Sequence, residues 1–200
     1  MTQTELRDAV RDLLDQTNTS NTQFDNDMID YWANHGRKIF AAILPIRHLK
    51  RLRKISALTV TAGVGAYPTD FLRVIDGQPY VTVDSIVARR IPDNESWRLK
   101  NLLSNTFILP DSENKYYREL TNGVQLYPTS ATACNYEYIM TPADLSASDD
   151  LTLPEFTDGM IAEFVYEKLM GTQRGDTVIA RTLLQGRGIE LTRINENLEA

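Results

Sequence analysis

A few residues in this chain could do chemistry. The loop Ala62-Gly63-Val64-Gly65-Ala66-Tyr67 has the glycine density of a phosphate-binding turn. It lacks a third glycine at dinucleotide spacing, a Lys-Ser or Lys-Thr, and a following helical pattern, so it reads as a plain turn. His35 and His48 are the two histidines, and neither has a second histidine or cysteine at metal-ligand spacing. His35 lies on an apolar helical face and reads as a satisfied core residue; His48 belongs to a basic run. No serine stands in a Gly-x-Ser-x-Gly elbow. Cys134 alternates with Tyr136, Tyr138 and Met140 and reads as a small buried hydrophobe, not a reactive thiol. Asp149-Asp150 is an acidic loop pair without the EF-hand pattern, which reads as solvated. Paired carboxylates for acid-base work need only proximity in space, and the sequence marks no pair. The expectation is no catalytic residue, no metal site and no cofactor.

The bulk numbers narrow the classes further. Two hundred residues allow one domain, or one domain with a sizeable insertion. A hydrophobic share of 42% is enough for a core, and 24% charged residues are ordinary. The net charge is −6, which disfavours binding nucleic acid through whole-chain electrostatics. A single cysteine excludes an internal disulfide. The stretch MTQTELRDAVRDLL lacks the apolar core of a signal peptide, and no stretch reaches membrane-span length. A reducing cytoplasm, or a particle assembled there, is the expected setting.

The elements that must position any site follow from local signals. Thr2 and Glu5 are spaced as a capping box ahead of an apolar stripe of Leu6, Val10, Leu13 and Leu14. Thr22, Asp25 and Asp27 favour a second helix start, with Phe24, Met28, Trp32, His35, Ile39 and Ile43 as its apolar face. Pro45 stops it at about Leu44. From Ile55 to Met140 the pattern is mainly β. Thr59 to Asp76 reads as strand, glycine turn, Tyr67-Pro68 corner and second strand, closed by Asp76-Gly77. Tyr80 to Val87 reads as one strand, and Glu95 to Leu103 as one or two helical turns. Thr121-Asn122-Gly123 is the strongest hairpin signal, because Asn and Gly tolerate positive φ. Ala133 to Met140 is a further strand. After a polar loop, Asp144 to Asp150, the segment Leu153-Pro154-Glu155 opens a helix with Met160, Ile161, Phe164, Val165 and Leu169 on one side. A last helix, capped by Asp176, carries Val178, Leu183, Leu184, Leu191, Ile194 and Leu198.

One run is basic: Arg47, His48, Lys50, Arg51, Arg53 and Lys54. It serves either as a solvated or oligomer-facing connector or as a contact with phosphates or an acidic partner. It has no interleaved aromatics, so a base-stacking surface is unsupported.

Four ordered features carry a family resemblance. They are the helix Asp25 to Leu44 with Asn34, Arg37 and Lys38; Leu58-Thr59-Val60-Thr61-Ala62-Gly63 followed by Ala66-Tyr67-Pro68-Thr69-Asp70-Phe71-Leu72-Arg73; Asn122-Gly123-Val124-Gln125-Leu126-Tyr127-Pro128; and Tyr136-Glu137-Tyr138 leading through Thr141-Pro142-Ala143-Asp144-Leu145 to Leu153-Pro154-Glu155. In order and spacing the chain resembles the head-to-tail adaptor (connector) proteins of tailed bacteriophages, the tail tubular protein A type included. Ile86 to Asn114 departs from that pattern. The resemblance implies a homo-oligomeric ring of twelve subunits under the portal, meeting a downstream tail tube or nozzle protein. Genomic double-stranded DNA would pass through the channel without sequence-specific binding. It places the protein in the virion neck, with no membrane partner.

The expected fold is therefore α+β: a helical bundle body with an inserted antiparallel β module. Residues 1–54 supply its N-terminal helices, 55–145 the module, and 146–200 the C-terminal helices. Arg47, Lys50, Arg51, Arg53 and Lys54 are the candidate contacts to a partner or DNA. Leu191, Ile194 and Leu198 are the candidate face for the portal. A β-rich carbohydrate- or peptide-binding module of a phage tail is the alternative, with Tyr116, Tyr117, Tyr127, Tyr136 and Tyr138 as its aromatic patch.

Overall fold

The computed structural model describes residues 1–14, 24–75, 79–91, 109–145 and 153–189. The expected Asp76-Gly77 turn, the helical turns at 95–103, the pair Asp149-Asp150 and the face Leu191, Ile194 and Leu198 lie outside the described residues. The chain divides into two compact units, Met1–Leu52 with Thr141–Ala200, and Arg53–Met140.

The first unit is helical. Helix α1 (Gln3–Leu13) begins with the expected reciprocal cap: Thr2 Oγ1 accepts from Glu5 N–H, and Glu5 Oε2 accepts from Thr2 N–H at 2.7 Å. Leu6 and Val10 are buried, whereas Leu13 stays exposed. Helix α2 (Asn26–Ile43) is capped by Asp25, whose carboxylate accepts from Met28 N–H at 2.7 Å. Its buried face is Ile29, Ala33, Gly36, Arg37, Phe40, Ala41 and Ile43. The face expected from bulk, through Met28, Trp32, His35 and Ile39, is thus rotated by about one residue, and Met28 is 45% exposed. The physical reason is close approach. A Cβ on Gly36 would lie 2.7 Å from Cδ1 of Phe164, so the narrow side of α2 packs.

Helix α3 (Asp158–Leu169) buries Met160, Ile161, Ala162, Phe164, Val165 and Leu169, and meets α1, α2 and α4 (Asp176–Gly186). In α4 the buried residues are Ile179, Ala180 and Leu184, and Val178 is outside. Asp176 does not cap α4. It stands at the first helical position behind Gly175, and its carboxylate is engaged by His35 of α2 and Lys168 of α3. Three polar residues of α2 hold the segment that follows the β-rich region. Asn34 Oδ1 accepts from Leu145 N–H at 2.8 Å, Arg37 Nη1 donates to Ala143 O at 2.8 Å, and Lys38 pairs with Asp144 at 2.8 Å.

The second unit is a nine-stranded mixed sheet: β1 (Arg53–Thr61), β2 (Val64–Ala66), β3 (Phe71–Val74), β4 (Val81–Val83), β5 (Ile86–Val87), β6 (Arg89–Arg90), β7 (Tyr116–Leu120), β8 (Gly123–Tyr127) and β9 (Cys134–Met140). The order is β5-β4-β9-β1-β2-β8-β7-β6, with β3 also paired to β9. The two end strands, β5 and β6, are separated in the chain by Ala88 alone, so the sheet comes round on itself in a barrel-like form. The expectation of a purely antiparallel module is corrected, since β6 pairs with β7 in parallel. β1 and β9 form a long ladder that sets Arg53 opposite Ile139, so the two ends of this unit are neighbours.

Two turns differ from expectation. Tyr80 to Val87 is not one strand, because Asp84-Ser85 turns the chain between β4 and β5 at φ +48° and +72°. Asp84 Oδ1 accepts from Thr132 N–H and Ala133 N–H, both at 3.1 Å, which fixes that turn. In the β7–β8 hairpin Leu120 pairs with Gly123, so the turn residues are Thr121-Asn122. Gly123 is needed for space instead, because a Cβ there would stand 2.2 Å from Gly65 O. Left-handed angles occur at Ala62-Gly63, φ +51° and +76°, between β1 and β2.

The alternation expected for β9 holds: Cys134, Tyr136 and Tyr138 face a core shared with Leu58, Val81 and Tyr117. Burial pushes the Cys134 thiol up to about 12.

Candidate interaction site

The tyrosines pack rather than line a surface. Tyr117, Tyr136 and Tyr138 are fully buried, and the rings of Tyr117 and Tyr136 meet edge-on at 6.2 Å. The hydroxyls of Tyr136 and Tyr138 are held by partly exposed carboxylates. Tyr136 donates to Glu119 Oε1 at 2.9 Å, and Tyr138 donates to Asp70 Oδ1 at 2.7 Å. Burial, reinforced by these carboxylates, raises both tyrosines above the usual phenol range.

The basic run is divided between the units. Arg47 lies on a 3-10 turn (Ile46–His48), and Lys50 and Arg51 on another (Lys50–Leu52). All three are exposed, and Lys50 and Arg51 make no ion pair with a described residue. Arg53 and Lys54 open β1 and are both engaged. Arg53 pairs with Glu137 at 2.9 Å and Lys54 with Asp70 at 2.7 Å. His48 packs edge-on against Phe156 at 5.3 Å, and its burial, with Arg47 adjacent, lowers its pKa.

His35 is satisfied, but at the surface of its unit rather than in the core. Its Nε2 is 2.7 Å from Asp176 Oδ2, with 39% of its side chain exposed. Asp176 also pairs with Lys168, whose ammonium lies 5.1 Å from the Trp32 ring centroid. This cluster ties α2, α3 and α4 together. Among the described residues no group of three or more His, Cys, Asp or Glu side chains could hold a metal ion. No described helix is long and apolar enough to cross a membrane.

One cleft of about 560 Å³ opens in the β unit, lined by Pro79, Tyr80, Val87, Ala88, Arg89, Arg90, Tyr117 and Glu137. No sequence motif marked it. The signal present was the adjacent pair Arg89-Arg90 at the end of an alternating apolar stretch.

The model of one protein family, described as SU10 adaptor protein, matches residues 1–185. The chain belongs to the SU10 adaptor protein family. No curated protein matches the chain. Membership of this phage adaptor family makes the protein a structural component of a virus particle. The expectation of a phage adaptor is met at the level of the SU10 adaptor family.

Proposed function

We propose that this SU10 adaptor family member is the head-to-tail adaptor of a tailed phage. It forms a ring under the portal that joins capsid to tail and lines the DNA channel, as a structural part without catalysis. The observation that carries this reading is the family match across residues 1–185. In it, residues 1–54 and 146–200 form a helical bundle body and residues 55–145 an inserted β module. The body meets the portal through Leu191, Ile194 and Leu198, and the module meets the downstream tail tube or nozzle protein. Twelve copies close the ring by heterologous, head-to-tail contacts. The net charge of −6 supports passage of DNA without retention, since acidic walls do not hold phosphates. Exposed Arg47, Lys50 and Arg51 supply an electrostatic contact to a partner or to the genome, beside Arg53 and Lys54.

The test is light scattering coupled to size exclusion, on the chain alone and mixed with its portal. A ring-sized mass in either sample is expected. Monomer in both, with no co-elution, overturns the reading. Truncation after Gly188 separates the docking face from the ring: co-elution with portal is expected to be lost, and normal co-elution removes Leu191, Ile194 and Leu198 from the interface.

A further inference from the structure

The cleft beside β6 has no role in the adaptor reading. Its shape comes from a strand that changes partners. Ala88 N–H donates to Val81 O at 2.9 Å, on the β4 side. Arg89 N–H then donates to Lys115 O at 2.9 Å, and Ile91 N–H to Tyr117 O at 2.8 Å, on the β7 side. Pro79 and Tyr80 do not follow. Tyr80 stays with β9, donating its N–H to Glu137 Oε2 at 2.9 Å and accepting from Glu137 N–H at 3.0 Å. A wedge opens between Tyr80 and β6, and Tyr117 lies at its floor.

The wedge offers three unused features. Among the described residues β6 pairs only with β7, so the alternate backbone N–H, that of Arg90, points to the open edge. Arg90's side chain is held by Glu119, and Glu137 by Arg53, but Arg89 has no ion-pair partner among the described residues. Val87 and Tyr80 are 62% and 49% exposed beside it.

We infer that this wedge seats an extended acidic segment of a partner protein. The segment adds as a strand along β6, places a carboxylate on Arg89 and lays an apolar side chain against Val87 and Tyr80. Val87 and Arg89 stand two residues apart, with buried Ala88 between them, so residues i and i+2 of an added strand supply both contacts from one face. Nucleic acid fits less well, because the chain is acidic and Glu137 stands in the wall.

The seat needs neither ring nor portal, so it is tested on the full chain in isolation. A fluorescent peptide of the repeat Val-Thr-Glu-Thr, which sets valine and glutamate on one face, is titrated and followed by anisotropy. Saturable binding that weakens with added salt is expected, with loss of about tenfold or more in Arg89→Glu and a smaller loss in Val87→Ala. The same peptide with lysine in place of glutamate is expected not to bind. Thermal melting of each variant checks that it folds. The proposal is overturned by no binding up to about 1 mM peptide, or by equal binding to Arg89→Glu. It is also overturned if free glutamate displaces the peptide at equal concentration, or if a single-stranded oligonucleotide takes the same Arg89-dependent site in preference.

Discussion

The Phe164 ring occupies the space that a side chain at Gly36 would enter, with Cδ1 2.7 Å from an ideal Cβ. Alanine is the better helix former, by about 1 kcal/mol in a helix interior. Here sterics win, because overpacking a filled contact costs about 1–3 kcal/mol. Gly36→Ala is expected to lower stability in urea unfolding, and Phe164→Leu in the same chain to recover part of the loss. A Gly36→Ala protein as stable as the parent would show that α2 and α3 do not pack at this point.

Ala62 takes φ +51° at a turn position where asparagine and glycine are favoured. An L-residue with a Cβ pays about 1 kcal/mol there. Ala62→Asn is expected to raise the urea midpoint by an amount equivalent to about 0.5–1 kcal/mol, and Ala62→Val to lower it.

Acid should weaken the β unit through Asp84. Its burial acts to raise the carboxyl, but donation from Thr132 N–H, Lys115 and Ala133 N–H outweighs burial, so its pKa is lowered. A folded pKa below the unfolded one contributes stability above the unfolded value, about 4, and loses it as pH falls through the folded value. Asp70, lowered first by Lys54 and then by Tyr138, acts in the same direction. Melting temperature is expected to fall below about pH 4, and Asp84→Asn to be less stable at neutral pH with a flatter acid limb. An unchanged acid limb in that variant would remove Asp84 from the account.

Charge reversal should separate Arg51 from Arg53. Arg53 is paired with Glu137, whose side chain is only 14% exposed, whereas Arg51 makes no ion pair with a described residue. Arg53→Glu is expected to cost stability by setting like charges together. Arg51→Glu should stay within about 0.5 kcal/mol of the parent while reducing particle assembly or DNA retention. Normal assembly with Arg51→Glu would take that residue out of the partner contact.

What the sequence disclosed was local. The capping box at Thr2 and Glu5 lies within one turn of helix, and the inward row Cys134, Tyr136 and Tyr138 follows the two-residue period of a strand. What it hid depends on residues far apart. Met28, Trp32 and Ile39 are larger than Ala33 and Gly36, yet the smaller residues face the core because Phe164, from another helix, needs the room. Gly123 looked like a turn residue and is instead a gap for Gly65 O on a neighbouring strand. The wedge at Arg89 depends on where the chain leaves β4, after Ala88, to join β7, which no short window of residues records.

The adjacency of Arg53 and Ile139 has an evolutionary consequence. A segment that leaves and re-enters the chain through neighbouring strands can be exchanged for one of different length or pattern, because the two junctions keep the same separation. Recombination then replaces the β unit as a cartridge, giving the chain a new surface while its helical sequence is inherited unchanged.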